Sequence, residues 1–378
     1  MLIYLLIFAI ILFTYFQMRK KAKNISFLAI TMAFFAIFIG ISDMLGGYDR
    51  YIYADLFDHM ADVTLSGGNP WTSYSFQFYG GEFGYGTLCA LISFITRNRY
   101  IFILIVTFII YILLFFSIKD YTSNYPFAVL LFLGLWFFFT FTYLRQVLSA
   151  TTAWLAIRYI YRRDFKHFLL IWFIAYSFHN SALAFLPMYF VPIKIFPKKT
   201  ILIIMATFFL LGLTPLPSAL FSAYGEIQES RVNVDIYARE GAFRIAYLIE
   251  AVFFLFTILF QYNRISKKPK TIVLTNMALV FCAILLFFTR SENGGRLSWF
   301  YMIGCISTTT TVCHFRFNTQ YKILILIVTF FLYFRIVSGW GILLYPYKTF
   351  FTNGSRKGDF IHDNYEYDLF YDKDKFYR

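Results

Sequence analysis

Charge is what this chain has least of: Asp, Glu, Lys and Arg together make up 14% of its 378 residues, while 60% are hydrophobic. A soluble globular domain carries about a quarter charged residues, and no water-soluble fold could hide so much apolar surface. Also missing is the polar/apolar alternation of a membrane barrel strand. The apolar residues instead come in runs of roughly 15 to 20, the length a helix needs to cross about 30 Å of hydrocarbon. Signatures of soluble nucleotide and metal enzymes are absent as well: no P-loop, no Rossmann glycine fingerprint, no His-Glu-x-x-His pair. ATP-driven transport and dehydrogenase chemistry find no support within the chain. Four cysteines, Cys89, Cys282, Cys305 and Cys313, lie within or beside apolar runs with no metal-ligand spacing, and read as packing residues.

What is there predicts an all-α, polytopic integral membrane protein. Candidate membrane segments are 1–18, 25–42, 100–118, 126–143, 145–161, 167–178, 180–193, 200–214, 242–262, 271–289, 296–314 and 322–344, with a weaker one at 84–96. Short and re-entrant ones included, that makes about 11–13 membrane helices. The net charge of +14 sits in short Lys/Arg clusters between the runs, at 19–23, 162–167, 194–199, 264–270 and 316–322. This is the positive-inside pattern and gives no reason to expect a nucleic-acid partner. The first run has no basic residue before it and no cleavage site after it, so it is expected to stay as a helix with its N-terminus outside.

Each crossing flips the side, so the basic clusters constrain the count. If 84–96 spanned the bilayer, Arg162, Arg163 and Lys166 would fall outside; the segment therefore reads as re-entrant or interfacial. By the same logic 167–193 goes out and comes back, as a hairpin with His179 near its tip. Two polar segments, 43–83 and 215–241, are then outer loops of a membrane domain spanning 1–346, and 347–378 is an accessory tail. Loops of that length between packed helices are uncommon unless they carry a function.

Several polar residues gather toward the outer side. Arg145, in Phe141-Thr142-Tyr143-Leu144-Arg145-Gln146, sits at a membrane boundary, where a guanidinium either snorkels to headgroups or grips phosphate oxygens. Arg290 and Arg296 bracket one short outer turn and Arg244 lies near the outer end of its helix, against the usual poverty of outer loops in Lys and Arg. An anionic ligand would explain them; pairing with acids such as Glu250 or Glu292 is the plainer account. His179, in Ser177-Phe178-His179-Asn180-Ser181, titrates near neutrality and can pass a proton or donate to phosphate, unless it is simply satisfied by helix packing. Asp49 and Glu82 lie in glycine-bearing aromatic settings, Gly46-Gly47-Tyr48-Asp49-Arg50-Tyr51-Ile52-Tyr53 and Tyr79-Gly80-Gly81-Glu82-Phe83. Acids beside aromatic platforms suit sugars, and one could serve as general base; solvated loop acids are the alternative.

Gly47-Tyr48-Asp49-Arg50-Tyr51-Ile52-Tyr53 resembles the Gly-x-Asp-x-x-x-Tyr segment after the second helix of EpsG-like proteins. Leu144-Arg145-Gln146, the basic turn Arg162-Arg163 and Phe178-His179-Asn180-Ser181-Ala182-Leu183 are similar to that family's Arg-Gln helix, basic turn and Phe-His-x-Ser-Ala-Leu run. Gly295-Arg296-Leu297 with Phe300-Tyr301 fits its second arginine-bearing helix, and the likeness runs over roughly residues 1 to 340. The resemblance implies a Wzy-type polymerase of bacterial surface polysaccharide or O-antigen, GT-C-like in fold. It would join oligosaccharide repeat units carried on undecaprenyl diphosphate at the outer face of the cytoplasmic membrane. The site would face the periplasm or cell exterior and need no cofactor or metal, with chain-length regulator and flippase proteins as possible partners. The family's positions carry over onto Asp49 and His179 as catalytic groups and onto Arg145, Gln146, Arg296 and Tyr53 as substrate-binding ones. Glu82, Arg244 and Arg290 match in context only. The rival readings are a flippase or transporter of the same lipid-linked oligosaccharide and a membrane O-acyltransferase.

Overall fold

The computed structural model describes residues 1–18, 21–220, 243–291, 294–315, 319–352, 354 and 356–360. Most of the expected outer segment 215–241, Glu292, and residues 361–378 of the tail lie outside the described residues. What is described is helical, α-helices and 3₁₀ turns, with a single isolated bridge between Ser42 and Thr349. Three helices, Arg99–Tyr121, Pro269–Phe287 and Gln320–Gly339, are long and apolar enough to cross a membrane. Shorter apolar helices accompany them, among them Leu2–Gln17, Ile25–Gly40, Phe165–Phe178 and Ile245–Phe260. The protein is thus a helical membrane protein.

The chain divides into two compact units. The first comprises Met1–Leu155, Leu170–Ser181 and Asn318–Arg378. In it the Ile25–Gly40 helix lies along Arg99–Tyr121, with Gly40 against Leu104, and Tyr125–Leu135 packs on the helix ending at Gly339 through Gly134 and Thr329. Phe35, Tyr111, Phe132 and Phe137 form an aromatic core between them, a large apolar payload per residue. The expected run 126–143 is interrupted: the helix stops at Leu135, Trp136 leaves helical geometry at φ −140°, and a 3₁₀ turn covers Phe137–Phe141. Trp136 itself is buried against Trp154 with ring centroids 5.0 Å apart.

The polar segment 43–83 is no loop. It holds an 18-residue helix, Tyr48–Leu65, and a short one, Tyr74–Tyr79. The longer helix buries Tyr53, Phe57, Met60 and Ala61, a 3.6-residue stripe that the flanking acids mask in the sequence. The next helix, Phe83–Ser93, has 11 residues and so measures about 16 Å, too short to span. Arg99, which follows it, forms a buried ion pair with Asp58, back on the Tyr48–Leu65 helix. The chain from Phe83 to Arg99 therefore stays against that helix.

The second unit comprises Ala156–Leu169 and Ala182–Phe317. Its centre is Pro269–Phe287, which packs against Met302–Cys313, Lys198–Gly212 and Ile245–Phe260. Gly304 and Gly212 let two of these helices approach its backbone closely. Asn276, buried in this helix, donates to the Pro192 carbonyl at 3.1 Å and so satisfies its amide. Residues 180–189 form a 3₁₀ helix rather than a membrane α-helix, with Pro187 inside it.

Candidate active site

The site is built in the first unit. Gly46 and Gly47, at φ +110° and +127°, turn the chain out of Ile25–Gly40 in a conformation costly to residues with a Cβ. That turn starts the Tyr48–Leu65 helix, whose first turn carries Asp49, an acid favoured by the positive end of the helix dipole. Asp49 is half-buried; Tyr53, one turn on, is buried. Asp49 and the neighbouring charges of Arg145 and Glu82 all act electrostatically on the Tyr53 hydroxyl.

Arg145 is the second residue of the Leu144–Trp154 helix, where a cation opposes the dipole and must find compensation elsewhere. It finds it twice. The guanidinium lies over the rings of Tyr53 and Tyr79, 5.3 and 5.7 Å from their centroids, and one nitrogen is paired with a Glu82 oxygen. The Arg145 side chain keeps 23% of its surface exposed, against 9% for Glu82, so the pair is sunk but open on the arginine side. Gln146, next in the chain, is buried.

The other Glu82 oxygen accepts the backbone N–H of Asn180 at 3.1 Å and lies 3.6 Å from Nδ1 of His179. Burial alone would push the Glu82 carboxyl up. A charged His179, Arg145 and the Asn180 N–H outweigh it and hold the group below its ordinary 4.5. His179 is placed from both sides. Ser149, one turn after Arg145, donates to the Ala175 carbonyl at 2.7 Å and pins the end of the helix that precedes His179. The Ser181 N–H donates to Nδ1 at 3.1 Å, which in the neutral ring leaves the proton on Nε2. A proton added at Nδ1 gives up that bond and faces Glu82 instead.

Residues from four separate stretches, Tyr53, Glu82, Arg145 and His179, therefore meet, and Asp49 stands one helical turn from the first. The acid paired with Arg145 is Glu82. Tyr79 and the Asn180 and Ser181 amides belong to the site too. Tyr79 shares the Tyr-Gly-Gly-Glu stretch with Glu82, a signal available in the sequence; the amide roles had none.

Arg244, Arg290 and Arg296 belong to the second unit. The Arg244 N–H donates to the Thr289 carbonyl at 2.7 Å, which sets the start of the Ile245–Phe260 helix beside the turn carrying Arg290. Gly295 packs against the Tyr247 ring, bringing Arg296 to the same end of that unit. One Arg290 nitrogen is engaged by the Leu213 carbonyl at 3.1 Å. Among the described residues no three of His, Cys, Asp and Glu come together as a metal site would need.

A buried acid with a half-buried arginine and histidine on a scaffold of apolar helices defines the class: a helical membrane protein with a polar chemical site. Residues 27–349 match the model of the EpsG family, and the chain belongs to it. The family groups glycosyltransferase-like polymerases of polysaccharide biosynthesis, which makes this a membrane protein of polysaccharide-polymerase type. No curated protein and no solved structure matches the chain.

Proposed function

We propose that the protein polymerises lipid-linked oligosaccharide repeat units, with undecaprenyl diphosphate as the leaving group, at the outer face of the cytoplasmic membrane. The observation that carries this reading is the junction of Arg145 with Glu82, His179 and Tyr53, in a chain of this family. An acceptor sugar hydroxyl attacks the anomeric carbon of the donor, the bond from that carbon to the diphosphate oxygen breaks, and the hydroxyl proton passes to a carboxylate. The outcome is inverting, as in a GT-C-like enzyme.

Asp49 is the better base of the two acids. Glu82 is committed to Arg145, His179 and the Asn180 N–H, and a carboxylate held low by such partners accepts a proton reluctantly. Glu82 instead keeps Arg145 charged, oriented and ready to share its remaining N–H groups with phosphate oxygens. The His179 ring offers Nε2–H to the same group. Charge grows on the diphosphate as the glycosidic bond breaks, and preorganised donors in a low-dielectric site stabilise it. Gln146 and Tyr53 line the site for sugar, and Arg244, Arg290 and Arg296 offer cations for anionic lipid groups at their own end of the second unit.

The alternative is a flippase for the same lipid-linked sugar, which would also use sunken cations. Proteoliposomes given repeat units already on the outer side separate the two. Longer glycan supports the polymerase; movement of lipid-linked sugar across the bilayer without elongation supports the flippase. Acylated sugar in place of longer glycan would point to an O-acyltransferase.

A further inference from the structure

The Arg50 guanidinium is wholly buried and is held by backbone oxygens. Its two terminal nitrogens donate to the carbonyls of Ser42 at 2.8 Å, Phe141 at 3.0 Å, Ile39 at 3.1 Å and Leu45 at 3.5 Å. Two of these acceptors, Ser42 and Leu45, belong to the turn that leads into Asp49, and Ile39 is in the last turn of the helix before it. The fourth, Phe141, lies four residues before Arg145. Burial pushes the group down to about 10, with Asp43 the chief influence the other way, so the side chain stays a cation at neutral pH. A solvated surface arginine would need none of this, and an arginine serving only the hydrophobic core would be better replaced by an apolar residue.

The same turn is gripped from its other side by the residues after the last long helix. The Asp43 N–H donates to the Lys348 carbonyl at 2.9 Å, and Lys348 Nζ is 2.8 Å from an Asp43 carboxylate oxygen. Phe350 N–H donates to the Ile41 carbonyl at 3.1 Å, and Gly46 N–H to Leu343 at 2.9 Å. Arg356 reaches the Met44 carbonyl at 3.1 Å, and Tyr51 donates to Asp359 at 3.1 Å. The Tyr347 ring stacks on Phe38 with centroids 4.3 Å apart. Loop backbone at a membrane surface ordinarily spends such groups on water; here they are spent on one strap.

We propose that Arg50 is a positioning residue, which with the strap residues Tyr347, Lys348, Phe350, Arg356 and Asp359 fixes Asp49 relative to Arg145 so that base and diphosphate clamp act on one substrate. The proposal rests on the polymerase reading for its catalytic consequence, but its geometric part stands apart from that reading. Lysine cannot replace Arg50: one ammonium has three donors on a flexible stem and cannot span four carbonyls in two segments.

The test uses the full chain in proteoliposomes with two variants, Arg50→Lys and Tyr347→Leu, the second loosening the strap while leaving every buried charge paired should the first fail to fold. A nitroxide is placed at Tyr48→Cys, an exposed position beside Asp49, in a background where the four buried cysteines are replaced. A second nitroxide at Ile95→Cys is the control. We expect both variants to loosen the Tyr48 label and leave the Ile95 label unchanged. On outer-supplied lipid-linked repeat units, the turnover of folded protein should fall by on the order of 10²-fold while KM for the donor stays within a few-fold, as misplacement by about 1 Å demands. The proposal is overturned by an unchanged Tyr48 line shape, or by KM rising with turnover held. Activity lost only in proportion to lost folded protein overturns it as well. If the variants loosen the Tyr48 label as expected but the unsubstituted protein makes no polymer, the polymerase reading fails while the strap's hold on the turn survives.

Discussion

Arg145 and Glu82 form the kind of buried pair that is worth most when it is broken. Removing one partner of a sunken ion pair leaves an uncompensated charge and costs about 3–5 kcal/mol. Glu82→Gln should therefore lower the unfolding temperature in detergent sharply. The double variant Glu82→Gln/Arg145→Met should lose much less than the sum of the two singles. Additive losses would show that the pair carries no coupling. The pH dependence follows in sign: because the folded-state group lies below 4.5, the stability it contributes is complete above that value and is lost as pH falls below it. In Glu82→Gln that acid-side loss should flatten in a pH series of unfolding temperatures. Arg145→Lys is no conservative change here, since ammonium neither forks toward phosphate nor spreads over the Tyr53 and Tyr79 rings. It should behave almost as Arg145→Ala in elongation assays, and near-normal activity would count against a phosphate-gripping role.

Elements were legible in the sequence to the extent that hydropathy dictates them. The runs 25–42, 100–118 and 271–289 correspond to Ile25–Gly40, Arg99–Tyr121 and Pro269–Phe287, because an apolar run of that length has no stable state in water or lipid other than a helix. What hydropathy does not see is an amphipathic helix among acids. Tyr48–Leu65 was hidden for that reason, although Tyr53, Phe57 and Met60 keep helical spacing. The Glu82–Arg145 pair joins positions 63 residues apart, and nothing local announces it. At this scale the short Phe83–Ser93 helix makes a topological prediction. Cysteines at the exposed positions Ser66 and Arg97 should both react with a membrane-impermeant maleimide from one side, and one at Lys268 only from the other. Opposite sidedness of Ser66 and Arg97 would mean that the segment crosses. The Gly46–Gly47 turn gives a further check: Gly46→Ala puts a Cβ into Phe141 at a positive φ, and should reduce folded yield more than Gly67→Ala, which meets nothing.

For the molecule as a whole, what matters is that the first unit keeps Arg145 largely away from water and gives it matched partners. A membrane protein that needed only to anchor would place Arg145 among headgroups. Here it lies on two tyrosines, held by an acid that a histidine and a backbone amide also hold. The second unit carries its own arginines, Arg244, Arg290 and Arg296, at one end. The most direct measurement is product length from purified Arg145→Ala protein in proteoliposomes, at matched insertion and with lipid-linked repeat units on the outer side. The account predicts that single, unextended repeats remain where wild type makes long glycan. An unchanged length distribution would contradict it.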